Sequence, residues 1–122
     1  MSKKILVIDD SKAVRESVKI VLSNGGYEVI EAANGADALS MMKKHSIGLF
    51  ISDINMPEMD GITLLRKIKE DNNNKHTPVI MLTTENCNEL INESRAAGAK
   101  AWMIKPFHPE KLLDAVKTLF VI

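Results

Sequence analysis

Strand-length apolar runs recur along this chain, and each is followed by a stretch of helical periodicity. Ile5-Leu6-Val7-Ile8 leads into Val14, Val18, Val21 and Leu22, and Leu49–Ser52 leads into Leu64, Leu65 and Ile68. Pro78–Thr84 precedes Leu90, Ile91 and Ser94 in a helix over about Cys87 to Ala97. Ala101–Ile104 precedes Leu112, Leu113, Val116, Leu119 and Phe120. Tyr27–Ala32 is more polar and reads as a strand nearer the sheet edge; the helix after it, Ala36 to about His45, has a weak face of Ala38, Leu39 and Met42. Short continuous apolar runs mark strands buried on both faces, and apolar residues at spacings of three and four mark amphipathic helices. Strand–helix repeated five times specifies a single doubly wound α/β domain: a five-stranded parallel sheet, five helices on its two faces, right-handed crossovers.

The punctuation agrees. Ser11 is placed to cap the first helix, Gly25-Gly26 and Gly98 to end helices, and Pro109 to open the last one. The run Asp71-Asn72-Asn73-Asn74 reads as a solvated connection. A length of 122 residues suits one domain over 1–122, with no output domain after the last helix. Sixteen basic and sixteen acidic side chains give no net charge, which argues against a nucleic-acid or membrane surface driven by bulk charge. The single Cys87 has no partner for an internal disulfide, and the apolar run after Lys3-Lys4 is too short for a signal peptide or a membrane span. A cytoplasmic protein is the expectation.

The chemistry gathers at one edge. In a parallel sheet every strand points its carboxyl end the same way, and ligands bind there. Asp9 and Asp10 follow the first strand, Asp53 ends the third, Thr83 ends the fourth and Lys105 follows the fifth. Asp53 is followed by Pro57 and Gly61, which cannot continue a strand. A lone acid at a strand end is ordinarily a turn cap. Three acids converging repel one another unless a cation neutralises them, and Mg2+ is the hard, oxygen-seeking ion that one or two carboxylates and a phosphate hold. With a lysine and a hydroxyl opposite, the set is a phosphoryl-transfer toolkit.

Asp9-Asp10, Asp53 with Met56-Pro57 and Asp60-Gly61, Thr83-Thr84-Glu85, Gly98-Ala99 and Lys105-Pro106-Phe107 occur in that order on five βα units. In this the sequence resembles a response-regulator receiver domain over essentially its whole length, and is most similar to the single-domain chemotaxis regulators. The resemblance implies a flavodoxin-like sheet of strand order 2-1-3-4-5. It implies that Asp53 accepts a phosphoryl group from a phosphohistidine of a sensor histidine kinase. It further implies that Asp10 and Asp53 ligate Mg2+ directly, that Asp9 holds it through water and that the Asn55 carbonyl completes the protein ligands. Lys105 and Thr83 would bind phosphoryl oxygens, and the Lys105-Pro106 peptide would be cis. Asn55 and Glu85 would flank the water that hydrolyses the acyl phosphate. Thr83 and an aromatic residue three before the lysine form the family's switch. The aromatic here is Trp102, where Tyr or Phe is usual. Indole is bulkier than phenol, so Trp102 is expected mainly to shape the face made by the fourth helix, fifth strand and fifth helix. The partners implied are the kinase, a flagellar motor switch protein and a phosphatase, met by a monomer that catalyses nothing beyond its own phosphorylation and dephosphorylation.

Other readings meet specific obstacles. A haloacid-dehalogenase-like phosphatase needs an acid where this chain has Asn55, and a cap domain. A flavodoxin-like electron carrier needs a hydroxyl-rich phosphate loop after the first strand, where Asp9-Asp10-Ser11 stands. No Gly-rich nucleotide loop is present. A constitutive docking module would have no use for the five site residues. Within the receiver reading, a phosphorelay intermediate serving a histidine phosphotransfer protein is the alternative. His45, His76 and His108 have no metal-like spacing and read as surface residues, and Cys87 as a passive small residue.

Overall fold

The structure is a computed structural model that describes residues 3–84 and 88–120. Five strands and five helices alternate: β1 (Lys4–Ile8), α1 (Lys12–Asn24), β2 (Val29–Ala32), α2 (Gly35–Lys44), β3 (Ile47–Asp53), α3 (Gly61–Glu70), β4 (Val79–Thr83), α4 (Asn88–Ala96), β5 (Ala101–Ile104) and α5 (Pro109–Leu119). All strand pairs are parallel, in the order β2-β1-β3-β4-β5. The sheet and its strand order are those the sequence led us to expect.

Side chains alternate across the sheet into two cores. Leu6, Ile8, Phe50 and Met81 meet Ala38 and Met42 of α2 and Ile62, Leu65 and Ile68 of α3, with Leu90 of α4 and Trp102 packed against them. Ile5, Val7, Leu49, Ile51, Ile80 and Leu82 meet Val18 and Leu22 of α1 and Leu112 and Val116 of α5. Each fully buried aliphatic side chain stabilises the fold by about 1.5–3 kcal/mol, so the distribution of burial is a map of rigidity. All seven residues of β3 are buried, whereas no residue of β5 is, and α4 buries only Ser94.

Three expectations need correcting. β3 begins at Ile47 and includes Asp53, because Ile47 and Gly48 are buried and Lys4 pairs with Ile47. The asparagine run is not wholly solvated: Asn74 is buried and its Nδ2 donates to Asp71 Oδ2 at 2.6 Å, closing the connection on itself. His45 is not a free surface residue either. It ends α2, is half-buried, and its Nδ1 lies 3.1 Å from Lys4 Nζ. His76 and His108 are exposed, as expected. Cys87 lies outside the described residues.

Candidate phosphoryl-acceptor site

The strand order reverses at β1, whose neighbours are β2 and β3, and such a reversal leaves a crevice at the carboxyl ends. Ile8 pairs with Ser52, so Asp9 and Asp53 are the next positions on adjacent strands. Asp53 pairs with Leu82 and Thr83 with Ile104, which carries the same edge across β4 and β5. Sequence position alone therefore lines up the groups that the site needs.

Asp9 and Asp53 are buried and Asp10 is exposed, and one carboxylate oxygen from each lies within 4.8 Å of the others. Around an octahedral Mg2+ with bonds of about 2.0–2.1 Å, neighbouring oxygens stand about 3 Å apart and opposite ones about 4 Å, so the three acids are near enough to share one ion after small adjustments. Asp9, Asp10 and Asp53 are the residues that could hold it, and the donor set is all hard oxygen. Asn55 is exposed two residues past Asp53. Its backbone N–H donates to Asp53 Oδ1 at 3.3 Å, which turns the chain at the mouth of the site.

Lys105 reaches across from the end of β5. Its Nζ lies 2.6 Å from Asp9 Oδ2 and 3.2 Å from Asp53 Oδ1, with the side chain 13% exposed. The Lys105-Pro106 peptide is cis. Burial lowers the lysine's pKa, but the bond to Asp9 and the charges of Asp53 and Asp9 outweigh it and the net direction is up. Burial, then the negative charge of Asp9, pushes the Asp53 carboxyl above its ordinary value of 3.8; Lys105 and the Asn55 N–H offset only part of this. Both shifts express one fact, which is that the pocket holds more negative charge than it can solvate. Thr83 is fully buried at the end of β4, beside this cluster in the strand register.

The β3–α3 turn is built on Asp60-Gly61. Asp60 Oδ1 accepts from Thr63 N at 2.8 Å and caps α3, and Gly61 N donates to Ile54 O at 2.7 Å. Gly61 sits against the backbone at the end of β3: a Cβ there would lie 2.8 Å from Ile54 Cα and 2.9 Å from Asp53 C, and nearer still to Asp53 O. The sequence reading took this glycine for a strand-breaker, whereas its role here is close approach.

These relations can be compared with known proteins. The model of the response regulator receiver domain matches residues 5–117. The chain belongs to the response-regulator receiver family. This receiver is 40% identical to the chemotaxis protein CheY of Bacillus subtilis over 98% of its own length and 99% of that protein. Among solved structures, it superposes on CheY4 of Vibrio cholerae with a TM-score of 0.93 at 39% identity, covering 98% of this chain and 100% of that one. It is also 34% identical to the transcriptional regulatory protein SrrA of Staphylococcus aureus, of which it covers 48%. Related receivers thus occur both as nearly the whole of a protein and as about half of one.

Of the expected site residues, Asp9, Asp10, Asp53 and Lys105 come together in the receiver, with Asn55 and Thr83 on the same edge. Glu85 lies outside the described residues. Trp102 is half-buried on the α4 side of the sheet; its Nε1 donates to Ser94 Oγ at 2.5 Å, and the Arg95 guanidinium lies 4.8 Å from the ring centroid. Sequence reasoning missed Arg15, whose Nη1 donates to Asp9 O at 2.7 Å and whose Nε donates to Glu31 Oε1 at 3.1 Å. The available signal was its spacing: Arg15 shares a helical face with Val18 and Leu22, an inward position for a charged residue.

Proposed function

We propose that this receiver is the phosphoryl-accepting element of a two-component pathway, that Asp53 is the acceptor, and that the output is control of motility. The reading is carried by one juxtaposition, a carboxylate at the end of a buried strand with two acids within 4.8 Å and a lysine 3.2 Å away. The full-length similarity to chemotaxis regulators supports the motility assignment. In the reaction, an Asp53 carboxylate oxygen attacks phosphorus and the P–N bond of a kinase phosphohistidine breaks; the imidazole leaves and takes up a proton. The Mg2+ held by Asp10, Asp53 and Asp9 would supply charge neutralisation between carboxylate and phosphoryl oxygens. Lys105 exchanges part of its pairing with Asp53 for a phosphoryl oxygen, and the Thr83 hydroxyl donates to another.

On this reading the chain is a substrate of its kinase rather than an enzyme acting on other molecules. A sensor histidine kinase, a flagellar motor switch protein and a phosphatase are its partners. Trp102 stays seated on α4 through Ser94 and shapes the α4–β5–α5 face that a target reads.

Intact-mass analysis after incubation with acetyl phosphate tests the proposal. The expected result is a Mg2+-dependent gain of one phosphoryl group in the native protein and none in Asp53→Asn. A gain that persists in Asp53→Asn would overturn the assignment of the acceptor. Onward transfer of the phosphoryl group to a histidine phosphotransfer protein, in place of motor control, would overturn the motility assignment.

A further inference from the structure

We infer that Arg15 is a positioning residue for the metal-binding acids, acting through the backbone carbonyl of Asp9 and itself oriented by Glu31. The inference rests on the receiver reading above, since the acids matter only if they hold a cation.

The reason lies in where β2 stops. Asp9 N donates to Ala32 O at 3.2 Å, the last rung between β1 and β2. On a strand the N–H and C=O of one residue point the same way, so the Asp9 carbonyl also faces β2. But β2 ends at Ala32, and Asn34 is already capping α2. The next rung has no strand donor, and a buried carbonyl needs one. Arg15 Nη1 fills that place from α1 at 2.7 Å.

The donor is itself fixed. Arg15 is only 14% exposed along its side chain, and Glu31 Oε1 accepts from its Nε at 3.1 Å, while Lys19 approaches Glu31 Oε2 at 3.8 Å. A second tether lies on the other side of the turn, where Ser11 N donates to Asp9 Oδ1 at 2.9 Å. The Asp9–Asp10 peptide is thus pinned between the Arg15 contact and the Ser11 contact. Asp10, the exposed member of the acidic triad, has no other anchor among the hydrogen bonds and ion pairs of the described residues, so its direction follows from that pinning.

Electrostatics and positioning predict opposite signs. Arg15 is paired with Glu31, so removing it leaves Glu31 less neutralised and makes the region more negative. If charge alone mattered, Arg15→Ala would bind Mg2+ more tightly. If pinning matters, it binds more weakly, and groups that orient metal ligands are typically worth about 10-fold or more in affinity.

The test is calorimetric titration of Mg2+ into the native protein, Arg15→Ala, Arg15→Lys, Glu31→Gln and Asp53→Asn. Amide hydrogen exchange at residues 9–11 is followed in parallel in chelator. Expected are about 10-fold weaker binding in Arg15→Ala, a smaller loss in Glu31→Gln, partial recovery in Arg15→Lys, and faster exchange at residues 9–11 in metal-free Arg15→Ala. Should Arg15→Ala fail to fold, Arg15→Lys carries the test, because it keeps the charge and loses the two-armed contact to Asp9 O and Glu31. Native-like or tighter binding in the folded Arg15 and Glu31 variants, with Asp53→Asn impaired, would overturn this inference and leave the receiver reading intact. A native protein without measurable Mg2+ binding would overturn the reading on which it rests.

Discussion

Gly61→Ala is the substitution for which the structure gives the firmest magnitude. A methyl group at this first residue of α3 would meet Ile54 Cα at 2.8 Å and Asp53 C at 2.9 Å, with Asp53 O closer still. These are backbone atoms, so no side chain can rotate away. Either α3 or the end of β3 must retreat by more than an ångström. Overpacking of this kind costs about 1–3 kcal/mol. The retreat also weakens the Gly61 N–H to Ile54 O bond, 2.7 Å long and worth about 1 kcal/mol. Against this stands at most about 1 kcal/mol from the better helix propensity of alanine. The net expectation is a loss of about 2 kcal/mol, read in urea as a midpoint lowered by about 1 M. Because the displaced atoms belong to Asp53, Mg2+ affinity should fall as well. Gly98→Ala is the control. Its φ of +110° makes it strained, but it lies against the Lys69 side chain rather than the acidic site, so it should lower stability without changing Mg2+ affinity. A Gly61→Ala protein with a native urea midpoint would refute the reasoning.

Two further outcomes follow from the geometry, and a third from the receiver reading. The folded state raises the pKa of Asp53, so between the unfolded value of about 3.9 and that raised value it binds more protons than the unfolded chain, and stability falls as pH rises. In chelator, Asp53→Asn should therefore match the native protein near pH 3 and become the more stable of the two toward neutrality; melting curves across pH that stay parallel would contradict this. Ser94→Ala removes the acceptor of the Trp102 indole N–H, so the emission of this lone tryptophan should change and iodide quench it more readily, with about 1–2 kcal/mol lost in stability. Unaltered emission and quencher access would show that Ser94 does not seat the ring. In Asn55→Lys and Glu85→Lys, the acyl phosphate should decay at a different rate while still forming, and decay measured at the native rate in both would remove them from the path of the attacking water.

The fold was legible because its grammar is local. Apolar runs such as Ile5–Ile8 and Val79–Leu82 are buried on both faces, and only a parallel sheet uses strands that way. The four charged residues of the site were legible for the same reason, since a parallel sheet delivers the ends of its strands to one edge. The remainder was hidden where geometry replaces composition. Nothing in the letters Asp60-Gly61 says that a helix start leans on the end of β3. Arg15 went unremarked because the missing rung beside Asp9 is a matter of strand pairing: the expected run and β2 both stop at Ala32, but only the paired sheet shows that this leaves the Asp9 carbonyl without a strand donor. Asn74 was misread because its partner Asp71 is chosen by loop geometry, and His45 because the end of α2 brings it to Lys4 at the start of β1.

The uneven burial of the strands has a consequence for signalling. On the proposed function, charge would be added to Asp53 at the end of β3, the strand clamped on both sides and on both faces, and so least able to yield. β5, on the far side of β4, lies at the sheet margin, and among the described residues α4 buries only Ser94 and packs through a few half-buried contacts. Segments with so little burial open at low free-energy cost. If Asp53 is the acceptor, memory and motion are then kept in different places: the mark would be written on an anvil, and the part freest to move is the loosely riveted plate at the margin.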